Sequence, residues 1–235
     1  MASEYLKWKY RDVKPETRRT LTPEERRRNW WHYHKWHVVL GAVLLLAALD
    51  IGRAALGIGT VRADYQLAYV GSASLPEDTV AAVEDALATL GEDLNGDGRV
   101  RVQLNQYVIG VDEGGDASYA AANRVRLMAD LEVGESAFFL LETPETFQKD
   151  YEVLCRADGS AAAADEAGYY VAWRDCPVLA ALPLGGYETI HLGARVSGDS
   201  QALLGALSLA RRSPDEAYAA PYAAFWNTLT EGAGT

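Results

Sequence analysis

Oxygen-bearing side chains occupy alternate positions in one short stretch of this chain. Asp93, Asn95 and Asp97 carry them, and Gly98 and Arg99 follow. A hard cation such as Ca²⁺ binds an arc of carboxylate and amide oxygens at this spacing, with glycine at the sixth position and a backbone carbonyl from the seventh. We therefore predict a calcium site formed by Asp93, Asn95, Asp97 and the carbonyl of Arg99.

The second half of this loop departs from a full calcium site. The twelfth position is Leu104, where a bidentate acid normally completes the shell. Another acid therefore has to complete the coordination shell. The candidates are Glu92 and one of Asp112, Glu113 and Asp116. The stretch resembles the first half of the calcium loops of dockerins and EF-hands. Because the twelfth acid is missing, we expect binding in the weak range of extracellular modules. The alternative is a plain turn between a helix and a strand.

Three hydroxyl residues are candidates for a second kind of site. Ser72, Ser74 and Thr143 each lie near the start of a predicted helix. Backbone N–H groups at a helix start have no partner inside the helix and favour an anionic or polar group. We predict a small polar or anionic solute there, with simple helix capping by the same residues as the alternative.

Motifs of familiar enzyme classes are absent from the sequence. It contains no Gly-x-Ser-x-Gly, no Gly-x-x-x-x-Gly-Lys and no His-Glu-x-x-His. We therefore expect a protein that is not an enzyme. Cys155 and Cys176 are the only cysteines, and their spacing matches no zinc motif. A disulfide between them and two separate buried thiols both remain open.

Strands and helices alternate from residue 65 onward. Apolar runs predict strands at residues 66–70, 100–109, 136–141, 178–182 and 189–196. Capping signals predict helices after Ser74, Asp116, Thr143 and Ser213. On the second of these helices the inner face is predicted to contain Ala121, Val125, Met128 and Leu131.

This alternation predicts an α/β fold, a three-layer αβα domain with a mostly parallel sheet. Right-handed crossovers place the strand at residues 66–70 in the centre of the sheet. The switch point then lies where its following loop meets the loop after residues 136–141, close to Ser72 and Thr143.

An apolar stretch precedes this domain. Residues 38–59 comprise 22 positions, which as a helix reach about 33 Å, enough to cross a hydrocarbon core of about 30 Å. Asp50 and Arg53 interrupt it, three residues apart on one face, where they are expected to neutralise each other near the far interface. Residues 30–37 are rich in Trp, Tyr and His, as in an aromatic interface belt. A cleaved signal peptide is the alternative, but the leading segment of 37 residues is unusually long for one.

Charge indicates the orientation of this span. Residues 1–37 carry ten Lys or Arg and five acids, whereas residues 60–235 carry 11 basic and 27 acidic residues. Basic residues beside a first span favour the cytoplasmic side. We predict a cytoplasmic tail and aromatic belt (1–37), a transmembrane helix in the cell membrane (38–59) and an extracellular α/β domain (60–235). The acidic domain argues against a nucleic-acid partner.

The order of elements over residues 65–154 resembles the first lobe of extracytoplasmic solute-binding proteins of Gram-positive bacteria. The resemblance rests on a strand, a Leu75-Pro76-Glu77 helix start, the Asp-x-Asn-x-Asp-Gly loop, and Phe138 to Leu141 before Thr143-Pro144. It implies a non-catalytic, membrane-anchored domain that binds a solute and is stabilised by calcium. The chain differs in having a membrane helix in place of a lipid-modified cysteine, and in lacking a second lobe. The other hypothesis is a protein-interaction or envelope-assembly module that binds a membrane-protein partner.

Overall fold

The computed structural model describes residues 20–55, 63–110, 117–163, 166–191, 194–213 and 218–233, together with residues 4, 7 and 9. The chain divides into two compact units, Met1–Val61 and Arg62–Thr235. The predictions for residues 56–59, for Asp112, Glu113 and Asp116, and for the capping signal that continues from Ser213 into residues 214–216 lie outside the described residues.

A long helix, α1 (Pro23–Ala55), forms most of the described part of the first unit. It starts with a capping box, because the Thr22 N–H donates to Glu25 Oε2 (3.0 Å) and the Glu25 N–H donates to Thr22 Oγ1 (3.3 Å). Among the described residues, this is the one helix long and apolar enough to cross a membrane, with a mean hydropathy of 1.6 in its apolar window. This capping box starts the helix well before residue 38, where the transmembrane helix was predicted to begin.

The second unit contains a mixed set of strands and helices. Its described strands are β1 (Tyr65–Gly71), β2 (Val102–Val108), β3 (Phe138–Leu141), β4 (Tyr170–Ala172), β5 (Gly186–His191), β6 (Ala194–Asp199) and β7 (Ser208–Arg211). Its described helices are α2 (Glu77–Ala88), α3 (Ala117–Val133), α4 (Pro144–Tyr151), α5 (Pro177–Ala180), α6 (Ser200–Leu204) and α7 (Ala219–Leu229).

Five strands form one sheet in the order β2-β1-β3-β7-β4. β1 is parallel to both β2 and β3, whereas β7 is antiparallel to both β3 and β4. The α/β class is therefore confirmed, but the sheet is parallel on one side only. β5 and β6 form a separate antiparallel hairpin, where a single strand at 189–196 was predicted. The strand predicted at 178–182 is wrong, because Pro177 takes the first position of the short helix α5.

Side chains of β1 alternate between two hydrophobic clusters. Leu67 and Tyr69 belong to one cluster, with residues from α2 and α7, and Ala68 and Val70 belong to the other, with residues from α3 and α4. Helices thus cover both faces of the sheet. This alternation holds the carboxyl end of β1 rigidly between two packed layers.

The buried face of α3 differs from the predicted one. Its buried residues are Ala120, Asn123, Leu127 and Asp130, whereas Val125 and Met128 are 68% and 60% exposed. The helix is rotated because two polar residues are buried on its inner side. Asn123 donates to the carbonyl of Tyr119, and Asp130 accepts hydrogen bonds from the sheet side. An apolar-only pattern cannot detect such a face.

Candidate functional site

The carboxyl ends of β1 and β3 lie side by side at the predicted switch point. The two strands are parallel neighbours, and the chain leaves β1 toward β2 on one side while β3 is flanked by β7 on the other. The loops after Gly71 and Leu141 therefore diverge and leave a crevice, the usual place for a ligand in an open α/β sheet. The predicted position of the switch point, between β1 and β3, is confirmed.

Glu142, the first residue after β3, joins the two loops. Its Oε2 accepts the Ser72 backbone N–H at 2.8 Å, and its Oε1 accepts the Tyr69 hydroxyl at 2.8 Å. The Tyr69 hydroxyl also lies 2.8 Å from the carbonyl of Ala73. Burial and the neighbouring Glu142 carboxylate raise the pKa of Tyr69. The loops are thus fixed by a charge-assisted hydrogen-bond network across 70 residues of sequence.

Gly71 is required by this packing. A Cβ atom at this position would lie 2.1 Å from Tyr69 Oη and 2.6 Å from Glu142 Oε1. No side chain fits without displacing the tyrosine or the carboxylate. The glycine therefore allows the Glu142 network to close over the end of β1.

A cavity of about 280 Å³ opens beside this network. Apolar residues of the strand ends and α4 form its floor, and polar residues form its rim. The floor includes Val70, Leu141 and Phe147, and the rim includes Ser72, Arg124, Glu142, Thr143, Thr146 and Asp150. A cavity of this size and lining suits a small polar molecule.

Two of the three predicted ligand residues line this cavity. Ser72 and Thr143 do, whereas Ser74 is exposed outside it. The predicted cap at Ser74 is wrong, because α2 begins at Glu77 after Pro76 and has no side-chain cap. Thr143 takes the N-cap position of α4 as predicted, but its hydroxyl makes no capping hydrogen bond. That hydroxyl is thus not committed to the helix.

The charges around the cavity were not predicted. Arg124 donates to the carbonyl of Ile109 (3.3 Å), and the carboxylates of Glu142 and Asp150 share the rim. Burial raises the pKa of Tyr151, against the lowering effect of Arg124. Because the Ser72 N–H is already bonded to Glu142, the anion preference expected from free helix donors has no basis at that residue. Glu142 could have been found as the acid at the carboxyl end of a predicted buried strand.

The predicted calcium loop is closed by its own backbone. Asp93 accepts the N–H groups of Gly96 (2.7 Å) and Gly98 (2.8 Å). Asn95 accepts the N–H of Asp97, and Asp97 accepts the N–H of Arg99. The Gly98 N–H, followed by that of Gly96, lowers the pKa of Asp93. Both glycines have positive φ, of 74° and 81°, which favours glycine.

The loop supplies only part of a calcium shell. Its side chains present carboxylate and amide oxygens, the ligands that a hard cation prefers, but Arg101 contacts Asp97 Oδ2 at 2.5 Å. Leu104, at the twelfth position, is buried in β2. In the described part of the chain no cluster of three or more His, Cys, Asp or Glu residues could hold a metal ion.

A buried acid that sequence reasoning missed anchors this loop. Asp64 is 3% exposed. Its Oδ1 accepts the N–H groups of Leu94 (2.9 Å) and Asn95 (3.1 Å), and its Oδ2 accepts that of Arg101 (2.8 Å). Both ends of the loop are therefore held by one carboxylate at the start of β1.

A larger cavity, of about 670 Å³, lies at the amino ends of β1 and β3. Two of its polar residues are bonded within the protein: Arg212 donates to the carbonyl of Leu131, and Tyr222 donates to that of Asp64. Burial raises the pKa of Tyr222 to about 12.

The two cysteines are separate thiols. Both Cys155 and Cys176 are free and buried. Burial raises the pKa of Cys155 and raises that of Cys176 to about 11, which keeps both thiols protonated and unreactive.

Comparison of the chain with models of protein families, with curated proteins and with solved structures gives no match.

Proposed function

We propose that this chain is a non-catalytic, single-pass membrane protein that displays an acidic α/β domain outside the cell membrane and binds a small polar solute at the switch point. The observation that carries the proposal is the surface of α1. Its large apolar side chains are all exposed over residues 38–51. An apolar surface of this size is stable in a hydrocarbon environment but not in water.

The charges beside α1 support an inside N-terminus. Arg26, Arg27 and Arg28 lie in its first turns, and Trp30, Trp31 and Trp36 follow before the apolar stretch. Cationic residues are retained in the cytoplasm and can contact anionic headgroups, while indole rings prefer the interface. The acidic domain then lies on the extracytoplasmic side.

The topology is tested with epitope tags at both ends of the full-length chain. In intact cells, added protease should remove the C-terminal tag and spare the N-terminal tag, and carbonate washing should leave the protein in the membrane. Loss of the N-terminal tag from a soluble product would identify α1 as a cleaved signal sequence. Protection of the C-terminal tag from protease would indicate the opposite orientation, with the C-terminal domain inside the cell.

The solute is proposed to be neutral overall, with both a cationic and an anionic group. Arg124 can pair with the anionic group, and Asp150 and Glu142 can pair with the cationic group, while the Thr143 hydroxyl adds a hydrogen bond. Thermal-shift screening of Arg62–Thr235 against amino acids and related zwitterions tests this. Stabilisation should be lost in Asp150→Asn and Thr143→Val and kept in Ser74→Ala, which lies outside the cavity. An equal increase in melting temperature on adding the solute to all variants would show that the solute does not bind in this cavity.

Calcium is proposed as an accessory ligand of the loop containing Asp93 and Asp97. The oxygen donors suit a hard cation, and the missing twelfth acid implies a dissociation constant of about 10⁻⁴ to 10⁻³ M. Calorimetric titration should show binding that Asp93→Asn abolishes. Asp158→Asn is the matched control, because Asp158 also accepts a backbone N–H in an exposed turn. No heat above dilution for the unmodified protein would exclude the metal.

A protein-interaction module is the second candidate function, and the exposed face of α3 favours it. Val125, Met128 and Val133 are exposed large apolar residues on one helix. A photo-crosslinker at residue 128 in intact membranes should capture a neighbouring membrane protein if this face binds one. The same group at Asp85, an exposed polar position of α2 on the other face of the sheet, serves as the comparison.

A further inference from the structure

Two opposite charges lie within the apolar part of α1. Asp50 and Arg53 are three residues apart and both exposed on the helix. Among the described residues neither forms an ion pair, with the other or with any further side chain. The mutual neutralisation expected from their spacing is therefore not made within one helix.

Depth in the bilayer separates the two residues. With a helical rise of about 1.5 Å per residue and residue 38 at the near edge, Asp50 lies about 18 Å into a core of about 30 Å, and Arg53 about 22 Å. The long arginine side chain can extend to the far headgroups. The short aspartate side chain cannot, and an unpaired carboxylate at this depth is costly. Asp50 thus needs a cationic partner inside the membrane.

Apolar residues continue the face that contains these charges. Val39, Val43 and Leu46 precede Asp50 and Arg53 at alternating spacings of four and three residues, and all three are exposed. This spacing places side chains along one seam of a helix, the pattern by which two parallel helices pack against each other.

We propose that α1 packs in parallel against α1 of a second copy of this chain, with Asp50 of each copy paired to Arg53 of the other. This inference rests on the proposed membrane span. Charge complementarity favours a second copy as the partner. Each seam carries one anion, Asp50, and one cation, Arg53, so each copy supplies the opposite charge that the other needs. In a parallel pair, Asp50 of one helix lies about 4.5 Å in depth from Arg53 of the other, a separation that the long arginine side chain spans, whereas lipid tails offer no opposite charge. Polar contacts between membrane helices stabilise such pairs.

The test uses the full-length protein in native membranes and cysteine crosslinking along α1. Leu46→Cys lies on the proposed seam and should form a disulfide-linked species of twice the monomer mass under mild oxidation. Leu44→Cys is the matched control, since it lies about 200° around the helix from Leu46 and should not crosslink. Cys155 and Cys176 are buried and contribute no background.

Charge variants then identify the pairing. In the Leu46→Cys background, Asp50→Arg alone and Arg53→Asp alone should each lower the crosslinked fraction about tenfold, and the double exchange should restore it. Failure of the double exchange to restore crosslinking, or equal crosslinking at residues 44 and 46, would overturn the pairing. A crosslinked species of another mass would overturn the choice of partner. Absence of the protein from carbonate-washed membranes would overturn the proposed membrane span. Loss of crosslinking with the protein still in the membrane would overturn only the helix pairing.

Discussion

The buried carboxylate of Asp130 offers a quantitative test of how α3 is held against the sheet. Asp130 is 4% exposed. Its Oδ2 accepts the hydroxyls of Tyr107 (2.6 Å) and Ser136 (2.7 Å), and its Oδ1 accepts the Ser136 N–H (2.7 Å). Replacing Asp130 with alanine leaves three buried donors without an acceptor.

The expected cost follows from these three contacts. A buried donor without a partner costs about 1 to 3 kcal/mol, and partial recovery by water is easier for a hydroxyl than for a backbone N–H. We therefore expect Asp130→Ala to lower the free energy of unfolding by about 3 to 5 kcal/mol. Tyr107→Phe removes one hydrogen bond to a charged group and should cost about 1.5 to 3 kcal/mol. The phenyl ring retains the contact with the Arg126 guanidinium, which lies 5.7 Å from the Tyr107 ring centre.

Urea unfolding of Arg62–Thr235, which has its own hydrophobic core, measures both changes and their double-mutant cycle. Tyr107→Phe should cost about 1 kcal/mol less when Asp130 is already alanine, because its partner is gone. Tyr218→Phe, at an exposed stacked tyrosine, is the control and should change stability by under about 0.5 kcal/mol. Equal costs for Tyr107→Phe in both backgrounds would refute the network.

Three further predictions test the helix face, the thiols and the pH dependence. Leu127→Ala should lower the unfolding free energy by about 2 to 5 kcal/mol and Val125→Ala by under about 0.5 kcal/mol, because Leu127 is fully buried and Val125 is 68% exposed; the reverse order would support the sequence-derived face. Cys155 and Cys176 should react with a thiol reagent only after unfolding, and the unfolded chain should then consume two equivalents of the reagent. No reaction after unfolding would indicate a disulfide. The pKa of Asp93 is depressed in the folded state, so its stabilising contribution is present above the unfolded value near pH 4 and is lost as pH falls through the folded value. NMR titration should therefore give Asp93 a pKa below that of a model peptide, and an ordinary value would contradict the loop geometry.

Elements with strong local signals were predictable from the sequence. β1 and β3 follow from apolar runs, and the Thr143-Pro144 pair correctly marks the start of α4. Their signals lie within a few residues of the element itself, so no knowledge of distant contacts is needed.

Other features depend on contacts that local patterns do not contain. β4 has only three residues and β7 four, too few for a periodicity to emerge, and they make half of the sheet antiparallel. The apolar run after Pro177 cannot be separated from a strand by pattern alone.

At the site, the position of the crevice was predictable, but its chemistry was not. Parallel alternation is enough to locate the switch point between β1 and β3. The bond from Ser72 to Glu142 joins residues that are 70 positions apart, and it reverses the expectation of free N–H donors. Such pairings depend on tertiary packing and leave no trace in the spacing of either residue.

Asp64 lies near the N-terminal end of the α/β domain, immediately before β1. Tension arriving through the preceding chain would act first on its three hydrogen bonds, and next on β1, which is paired in parallel with a strand on each side. A pull along that strand shears both ladders at once instead of unzipping them one bond at a time. A domain tethered in this way would resist mechanical unfolding by a force applied at its N-terminal side.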